Sequence, residues 1–271
     1  MVRNKISVII ITLNEERYVE RLLKQLSNER DIELIVSDGG SIDRTARVAK
    51  RYTEKVIVGE RGRGVQLNVG AALATGDILW FLHADSIPPN NFKHHIVNSL
   101  RSPSVAGGAF KLEIDSNLSS LKTISMVAGL RSTLTRIPFG DQGVFVKKEI
   151  YDRLNGFKDI PLMEDIEFGR RLKKEGRVVL IPSGIKTCSR KWEQDGILKT
   201  TLRNWAYITL FLMGYSPHKL YRRYYRRHLY LTMQRKTIRK RKGWNRIVLS
   251  WNWRNNHKKQ EILNDGEPPE G

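Results

Sequence analysis

The stretch Gly76-Asp77-Ile78-Leu79-Trp80-Phe81-Leu82-His83-Ala84-Asp85 decides how this chain is read. Ile78 to Leu82 is a short apolar run, the pattern of a strand buried on both faces. It ends abruptly in a histidine and a carboxylate, and Pro88-Pro89 take the chain out of any sheet soon afterwards. In open α/β sheets, ligands sit beyond the carboxyl ends of the strands. An acid at that point can hold a divalent cation, and a cation can hold a diphosphate. A lone aspartate there is more often a turn cap; the neighbouring motifs change the reading.

Upstream, strands and helices alternate. Lys5 to Leu13 (KISVIIITL) predicts a first buried strand. Tyr18, Val19, Leu22, Leu23 and Leu26 recur at helical spacing and predict a helix to about Asn28. Ile32 to Ser37 and Lys55 to Val58 predict two more strands. A helix between them is capped by Ser41 or Asp43 and runs through Tyr52. Val65 to Ala74 predicts a third helix, stopped by Thr75-Gly76. This alternation with short loops predicts an α/β fold, a mostly parallel sheet with helices on both faces.

Downstream the pattern is mixed. Asn91 to Leu100 predicts a helix, and Gly107 to Asp115 a half-exposed strand with Phe110, Leu112 and Ile114 inward. Leu118 to Arg131 predicts a helix that turns Leu121, Ile124, Val127, Ala128 and Leu130 inward. Short strands are expected at Gly143 to Val146 and Val178 to Ile181, and a charged helix at Asp165 to Glu175. Thr200 to Tyr215 predicts an aromatic-rich helix with Tyr207, Phe211, Leu212 and Met213 in the core.

The 271 residues suffice for one large domain with an appendage. The single cysteine, Cys188, excludes an internal disulfide and fits a reducing compartment. The net charge of +20 is uneven: residues 217–260 hold 15 Lys and Arg and no acid, whereas residues 1–216 carry only +9. The division expected is a domain over 1–216 and a basic, aromatic-rich helical extension over 217–271, ending in an acidic, disordered tail. The apolar start is followed by Asn14-Glu15-Glu16 without a small-residue cleavage site, so no signal peptide is expected. No apolar run approaches the roughly 18–20 residues that span a bilayer. A cytoplasmic protein is expected, with room for peripheral attachment to the cytoplasmic face of a membrane.

The strand ends carry the chemistry. Thr12-Leu13-Asn14-Glu15-Glu16 follows the first strand, where dinucleotide-binding units place G-x-G-x-x-G and where P-loops place their own glycines. Neither motif is present, which disfavours hydride transfer and P-loop hydrolysis. Thr12 and Glu15 could bond a base or ribose; the alternative is a plain helix cap by Asn14. The second strand ends in Ser37-Asp38-Gly39-Gly40-Ser41-Ile42-Asp43, whose glycines allow close approach of a ligand to the backbone. The alternative there is a turn capped by Asp38.

Taken together, T-L-N-E-E, S-D-G-G-S-I-D-R-T, G-R-G-V-Q-L-N-V-G-A and G-D-I-L-W-F-L-H-A-D resemble the nucleotide-sugar half of family 2 glycosyltransferases, which have the GT-A fold. G-D-Q-G-V-F-V-K-K (Gly140 to Lys148) and P-L-M-E-D-I-E-F-G-R-R-L-K-K-E-G (Pro161 to Gly176) extend the likeness over roughly residues 5–215. Those two blocks most resemble a bacterial subgroup of small, soluble family 2 enzymes with unassigned acceptors.

The resemblance implies an inverting, metal-dependent hexosyltransferase. It would use a UDP- or GDP-linked sugar donor, Mn²⁺ or Mg²⁺, and a hydroxyl acceptor that could be lipid-linked. Thr12, Asn14, Glu15, Asp38, Gly39, Arg63 and Asn68 would hold the nucleotide, with His83, Ala84, Asp85 and Arg190 at the diphosphate. Asp85 matches the second acid of the family's D-x-D metal motif; His83 replaces the first, as a metal ligand or a phosphate donor. Asp165 matches the acid that takes the acceptor's proton. Gly140, Asp141, Gln142, Glu164 and Trp192 would line the acceptor side. Ser189-Arg190-Lys191-Trp192 only partly matches the diphosphate-closing element of processive relatives, since the preceding Gln is missing and a Lys is inserted.

For the basic segment 217–260, an anionic membrane surface is the favoured partner, with nucleic acid and a partnerless solvated appendage as weaker readings. Two other functions compete: a nucleotidyltransferase that makes sugar nucleotides, disfavoured because Thr12 to Glu16 contains no glycine, and a nucleic-acid-binding protein that uses the basic segment.

Overall fold

In the computed structural model, residues 5–116 and 118–225 are described. The N-terminal half alternates as the apolar runs require. It comprises β1 (Ile6–Thr12), α1 (Glu16–Leu26), β2 (Ile32–Asp38), α2 (Thr45–Ala49), β3 (Val56–Val58), α3 (Arg63–Ala72) and β4 (Ile78–His83). Then come α4 (Phe92–Leu100), β5 (Val105–Asp115), α5 (Ser119–Thr135), a 3-10 turn (Gly140–Gln142), β6 (Phe145–Lys147), α6 (Lys148–Arg153), α7 (Glu164–Glu175) and β7 (Arg177–Cys188). The last elements are α8 (Arg190–Asp195), α9 (Ile197–Leu212) and α10 (Pro217–Tyr224). The chain to Tyr221 forms one compact unit; a second begins at Arg222. Expectations for the basic segment beyond Tyr225 and for the acidic tail fall outside the described residues.

Among the described residues, seven strands form one sheet in the order β3-β2-β1-β4-β6-β5-β7. The first four are mutually parallel, and β6 runs antiparallel between β4 and β5. The chain winds one way from β1 to β2 and β3, and returns on the other side of β1 to lay down β4. The crevice between the carboxyl ends of β1 and β4 is therefore the switch point at which such sheets bind ligands. Both strands must be buried on two faces, and β1 is buried along all seven residues. One face packs Ile6, Val8 and Ile10 on Leu22, Leu23 and Leu26 of α1. The other packs Ile9 and Phe81 on Leu67 of α3 and on Tyr151, Phe157 and Phe168. Trp80 stacks on Phe92 at 4.7 Å, and its buried indole N–H donates to the Gly143 carbonyl at 3.0 Å.

The C-terminal half departs from expectation in four elements, β5, β7, α5 and α9. β5 is buried on both faces through Phe110, and only Lys111–Asp115 alternate as predicted. β7 is much longer than the expected Val178 to Ile181. Pro182 reads as a strand stop, but the β5–β7 register shifts between Ile181 and Gly184, and this irregularity accommodates it. In α5, Leu121 is inward as expected, but from there on the inward face is small or polar: Ser125, Gly129 and Ser132. Ser125 Oγ accepts from the Ile114 N–H at 3.0 Å, so the helix lies close against β5. Val127 and Leu130, expected inside, are exposed, as are Leu212 and Met213 on and after α9, while Tyr207 and Phe211 are only half-buried.

Gly108 shows how tightly the sheet is packed. A Cβ there would lie 2.5 Å from both the Phe145 ring and the Val179 carbonyl. Gly108→Ala should therefore destabilise the fold by about 1–3 kcal/mol, the usual range for overpacking. Urea unfolding followed by tryptophan fluorescence checks this, and an unchanged midpoint would refute it.

Candidate functional site

Two strand ends and one amide build the first wall. Thr12 and Asp38 are register partners at the ends of β1 and β2, and Thr12 Oγ1 donates to Asp38 Oδ2 at 2.7 Å. Asp38 is fully buried. It also accepts from the Gly40 and Ser41 N–H groups, at 3.0 and 2.7 Å, and from Ser41 Oγ at 2.6 Å. Four bonds fill the acceptor capacity of a carboxylate, so Asp38 shapes the Gly39–Ser41 turn itself. Gly40 needs φ of +83° there. Gln66 of α3 donates from Nε2 to the carbonyls of Thr12 and Ser37, at 2.9 and 2.8 Å, tying the two strand ends together. A Cβ on Gly39 would lie 2.9 Å from Gln66 Oε1. Sequence reading passed over Gln66; its signal was an amide on the apolar side of a helix, which must find partners when buried.

Asn14, at φ of 56°, accepts from the Ile42 N–H at 2.9 Å and joins the first two loops. Glu15 begins the second wall. Its Oε1 accepts from Arg190, whose guanidinium lies 4.7 Å from the Tyr18 ring centroid and 4.0 Å from Asp85 Oδ2. Its Oε2 is buried without a partner in the chain. Burial raises the Glu15 carboxyl above its ordinary range and the Arg190 bond opposes that shift. The same bond makes Arg190 hold its proton more tightly.

β4 delivers His83, the buried Ala84 and Asp85 to the floor. Across from them is the 3-10 turn. The Gly140 N–H donates to Asp165 Oδ2 at 2.8 Å, and Asp165 Oδ1 accepts from the Ile166 N–H at 2.8 Å. A Cβ on Gly140 would lie 3.4 Å from both His83 Nε2 and Asp165 Oδ2. The histidine that ends β4 and Asp165 in the first turn of α7 therefore face one another across a glycine. Asp141 lies within electrostatic reach of both Asp165 and Asp85.

The remaining expected residues support the walls. Arg63 forms a two-pronged pair with buried Glu164, Nε to Oε1 at 2.6 Å and a terminal nitrogen to Oε2 at 3.1 Å. Burial pushes the Glu164 carboxyl up and Arg63 opposes it. Asn68 is turned to the chain after α6. Its Nδ2 donates to the Phe157 carbonyl at 2.8 Å, and its Oδ1 accepts from Tyr151 and the Phe157 N–H. Gln142 is fully buried and accepts from Ser132 Oγ and the Phe139 N–H, both at 2.8 Å, which fixes the 3-10 turn to α5. The Trp192 indole N–H on α8 is buried without a partner.

Glu15, Asp85, Asp141, Glu164 and Asp165 thus gather around Arg63, Arg131 and Arg190. Negative charge is in excess, and Glu15 Oε2 and Asp141 Oδ1 are left unpaired. Such a site fits a cation. Among the described residues, no three His, Cys, Asp or Glu side chains converge closely enough to hold one by themselves. Oxygens of a ligand or water would have to complete its shell. Two surface clefts, of about 480 and 340 Å³, lie away from this site, around Asp77 and Arg101.

The signature described as Glycosyl transferase family 2 matches residues 7–157. An uncharacterized glycosyltransferase of Nostoc sp. is 31% identical over 119 residues, which cover 41% of this chain and 37% of that one. The dolichyl N-acetyl-alpha-D-glucosaminyl phosphate 3-beta-D-2,3-diacetamido-2,3-dideoxy-beta-D-glucuronosyltransferase of Methanococcus voltae is 26% identical over 201 residues, 64% of this chain and 63% of that one. The matches thus span about a third to under two thirds of these relatives. Among solved structures, a mannosyltransferase from Pyrobaculum calidifontis, in complex with GDP-Man and Mn²⁺, superposes with a TM-score of 0.54. It is 22% identical, over 67% of this chain and 56% of its own.

Asp141 gives the site a pH signature. Its Oδ1 is buried and the residue as a whole is partly buried. Burial, then the Asp165 charge, push its carboxyl from 3.8 up to about 6 against the pull of Arg131. An acid whose pKa is raised on folding is bound to more protons in the folded state, so stability falls as pH rises through that window. The gain in stability from Asp141→Asn should grow between pH 4 and pH 6 and then level off, on the order of 2 kcal/mol. Chemical unfolding of the metal-free protein at stepped pH reads it, and a gain that is flat with pH would refute the assignment.

Proposed function

Because the chain belongs to glycosyl transferase family 2 and is a glycosyltransferase, we propose that it moves a hexosyl group from a nucleotide diphosphate sugar to a hydroxyl acceptor with inversion. The observation that carries this reading is Asp165. Its carboxylate is fixed by two backbone N–H groups and faces His83 across Gly140, on the floor where Asp85 also stands.

The donor lies at the switch point. Thr12, Asn14, Asp38 and Gly39 shape the nucleoside wall, with Asp38 and Gln66 holding the loops and Glu15 offering its unpaired oxygen. Arg63 and Asn68 act from α3, Arg63 through its pair with Glu164 and Asn68 by fixing the chain at Phe157. Asp85, with His83 and Ala84 beside it, would hold Mn²⁺ or Mg²⁺ together with the diphosphate. That the Pyrobaculum enzyme was solved with GDP-Man and Mn²⁺ supports this choice. A cation there supplies neutralisation of charge on the departing diphosphate. Arg190 leaves Glu15 and Asp85 to bind the same phosphates, a short movement for a long side chain.

On the opposite side, Asp165 takes the proton of the acceptor hydroxyl as the oxygen attacks the anomeric carbon. Gly140 orients the carboxylate, and Gln142 anchors the turn that carries Gly140. Asp141 and Trp192 offer an unpaired oxygen and an unpaired N–H to the acceptor, and Glu164 braces the base from its neighbouring position. A lipid-linked hydroxyl is the favoured acceptor, in keeping with the dolichyl phosphate in the name of the Methanococcus relative. The basic segment 217–260 would bring the enzyme to an anionic surface at the cytoplasmic face.

Asp165→Asn should bind donor as the parent does but lose transfer by about 10²–10⁴-fold. Isothermal titration with nucleotide sugars and Mn²⁺, beside a turnover assay, separates the two effects. Near-parental turnover would remove Asp165 from the mechanism. Arg190→Ala should weaken donor binding and make it less dependent on salt. Unchanged binding of UDP- and GDP-sugars would show that Arg190 does not reach the diphosphate.

A further inference from the structure

α5 and α9 touch one another, and each turns an apolar stripe to the outside. On α5 the stripe is Met126, Leu130 and Leu134, at successive turns; Leu134 is 74% exposed. On α9 it is Leu198, Leu202 and Trp205; Leu198 is 71% exposed. Single exposed leucines need no explanation, but contiguous ones at helical spacing on neighbouring helices do. Beyond Leu121, which is buried, the inward face of α5 is occupied by Ser125, Gly129 and Ser132, and Met126, Leu130 and Leu134 lie outside.

The charges around these stripes share one sign. α5 and α9 contain no aspartate or glutamate, but carry Lys122, Lys199 and Arg203, besides Arg131, which is turned inward to Gln142 and the Phe139 ring. Arg203 is engaged by Asp195 at 2.8 Å. Trp205 presents an amphipathic ring of the kind that settles at a headgroup boundary.

We propose that the α5–α9 face is a membrane-docking surface, its leucines and Met126 entering the acyl boundary of an anionic leaflet while Lys122 and Lys199 meet the headgroups. No helix among the described residues is long and apolar enough to cross a bilayer, so the face lies on the membrane. A second copy of the chain fits less well. In a two-fold contact the patch meets itself, and basic residues with no acid among them would then face one another. Nucleic acid would satisfy the lysines and leave the leucines in water. The face is also joined to the site, because Ser132 of α5 holds Gln142, in the turn that carries Asp141 and the Gly140 N–H. The inference concerns residues other than the basic segment, and it extends the membrane reading without depending on the identity of the donor.

The test is co-sedimentation of the full chain with vesicles of phosphatidylcholine alone and with about 30% phosphatidylglycerol. The parent should bind the anionic vesicles. Leu130→Ser, Leu134→Ser, Leu198→Ser and Leu202→Ser combined should lower the partition coefficient by at least about tenfold, since each lost apolar contact weakens insertion. Circular dichroism and donor binding should stay as in the parent, because these side chains are exposed. A second variant, Arg239→Gln, Lys240→Gln, Arg241→Gln and Lys242→Gln, reports on the basic segment. The proposal predicts that it keeps the binding that survives high salt. Equal partitioning of parent and leucine variant would overturn the proposal and leave the basic segment as the only anchor. A parent that is dimeric by light scattering, becomes monomeric in the leucine variant and ignores both vesicle types would overturn it in favour of self-association.

Discussion

Five carboxylates at one end of a sheet repel one another, and this structure is arranged around keeping them together. Glu15, Asp85, Asp141 and the Glu164-Asp165 pair come from four separate segments of the chain. Arg190 answers the first two, Arg63 pairs with Glu164, and Arg131 stands near Asp141 and Asp165. The compensation is incomplete, and two acid oxygens remain buried without partners. Such a cluster is costly unless something positive joins it. That cost, kept at the switch point of the sheet, is the physical ground for the cation and diphosphate proposed for this site.

The surrounding fold provides rigidity for that cluster. β1 and β4 are buried on both faces, so their ends cannot drift. Gln66 fastens the ends of β1 and β2, and Gln142 fastens the turn opposite to α5. Side chains expected to touch ligand, such as Asp38 and Asn68, have their hydrogen bonds committed to the loops. They set the shape of the loops, and the charge at this end of the sheet comes from Glu15, Asp85, Asp165 and Arg190. Arg190 comes from a helix far along the chain and ties Glu15 of the second wall to Asp85 of the floor.

On the outside, α5 and α9 follow a different logic. A helix that must lie close to a strand needs small residues on its inner face. α5 meets that need with Ser125, Gly129 and Ser132, which leaves its large apolar residues outward. Hydrophobic periodicity alone places Leu121 correctly but turns Val127 and Leu130 inward, because it assumes that the largest residues mark the core.

The sequence by itself determined the α/β alternation and a mostly parallel sheet, and it marked the end of β4 as the candidate site. Those features follow from local patterning: apolar runs of strand length, helical spacing between them, and motifs at strand ends. It also set apart the blocks that place His83, Asp85 and Asp165 in a family 2 glycosyltransferase. Only the tertiary structure decided that the two acid blocks share one floor, that Gln66 and Arg190 hold it, that β7 continues past Pro182 and which face of α5 is inside. Each of these depends on a partner remote in the chain: a carbonyl for an amide, a carboxylate for an arginine, a strand for a small-residue helix face. Composition and spacing report what a segment can bury or bond, while the identity of the partner exists only once the chain has closed on itself.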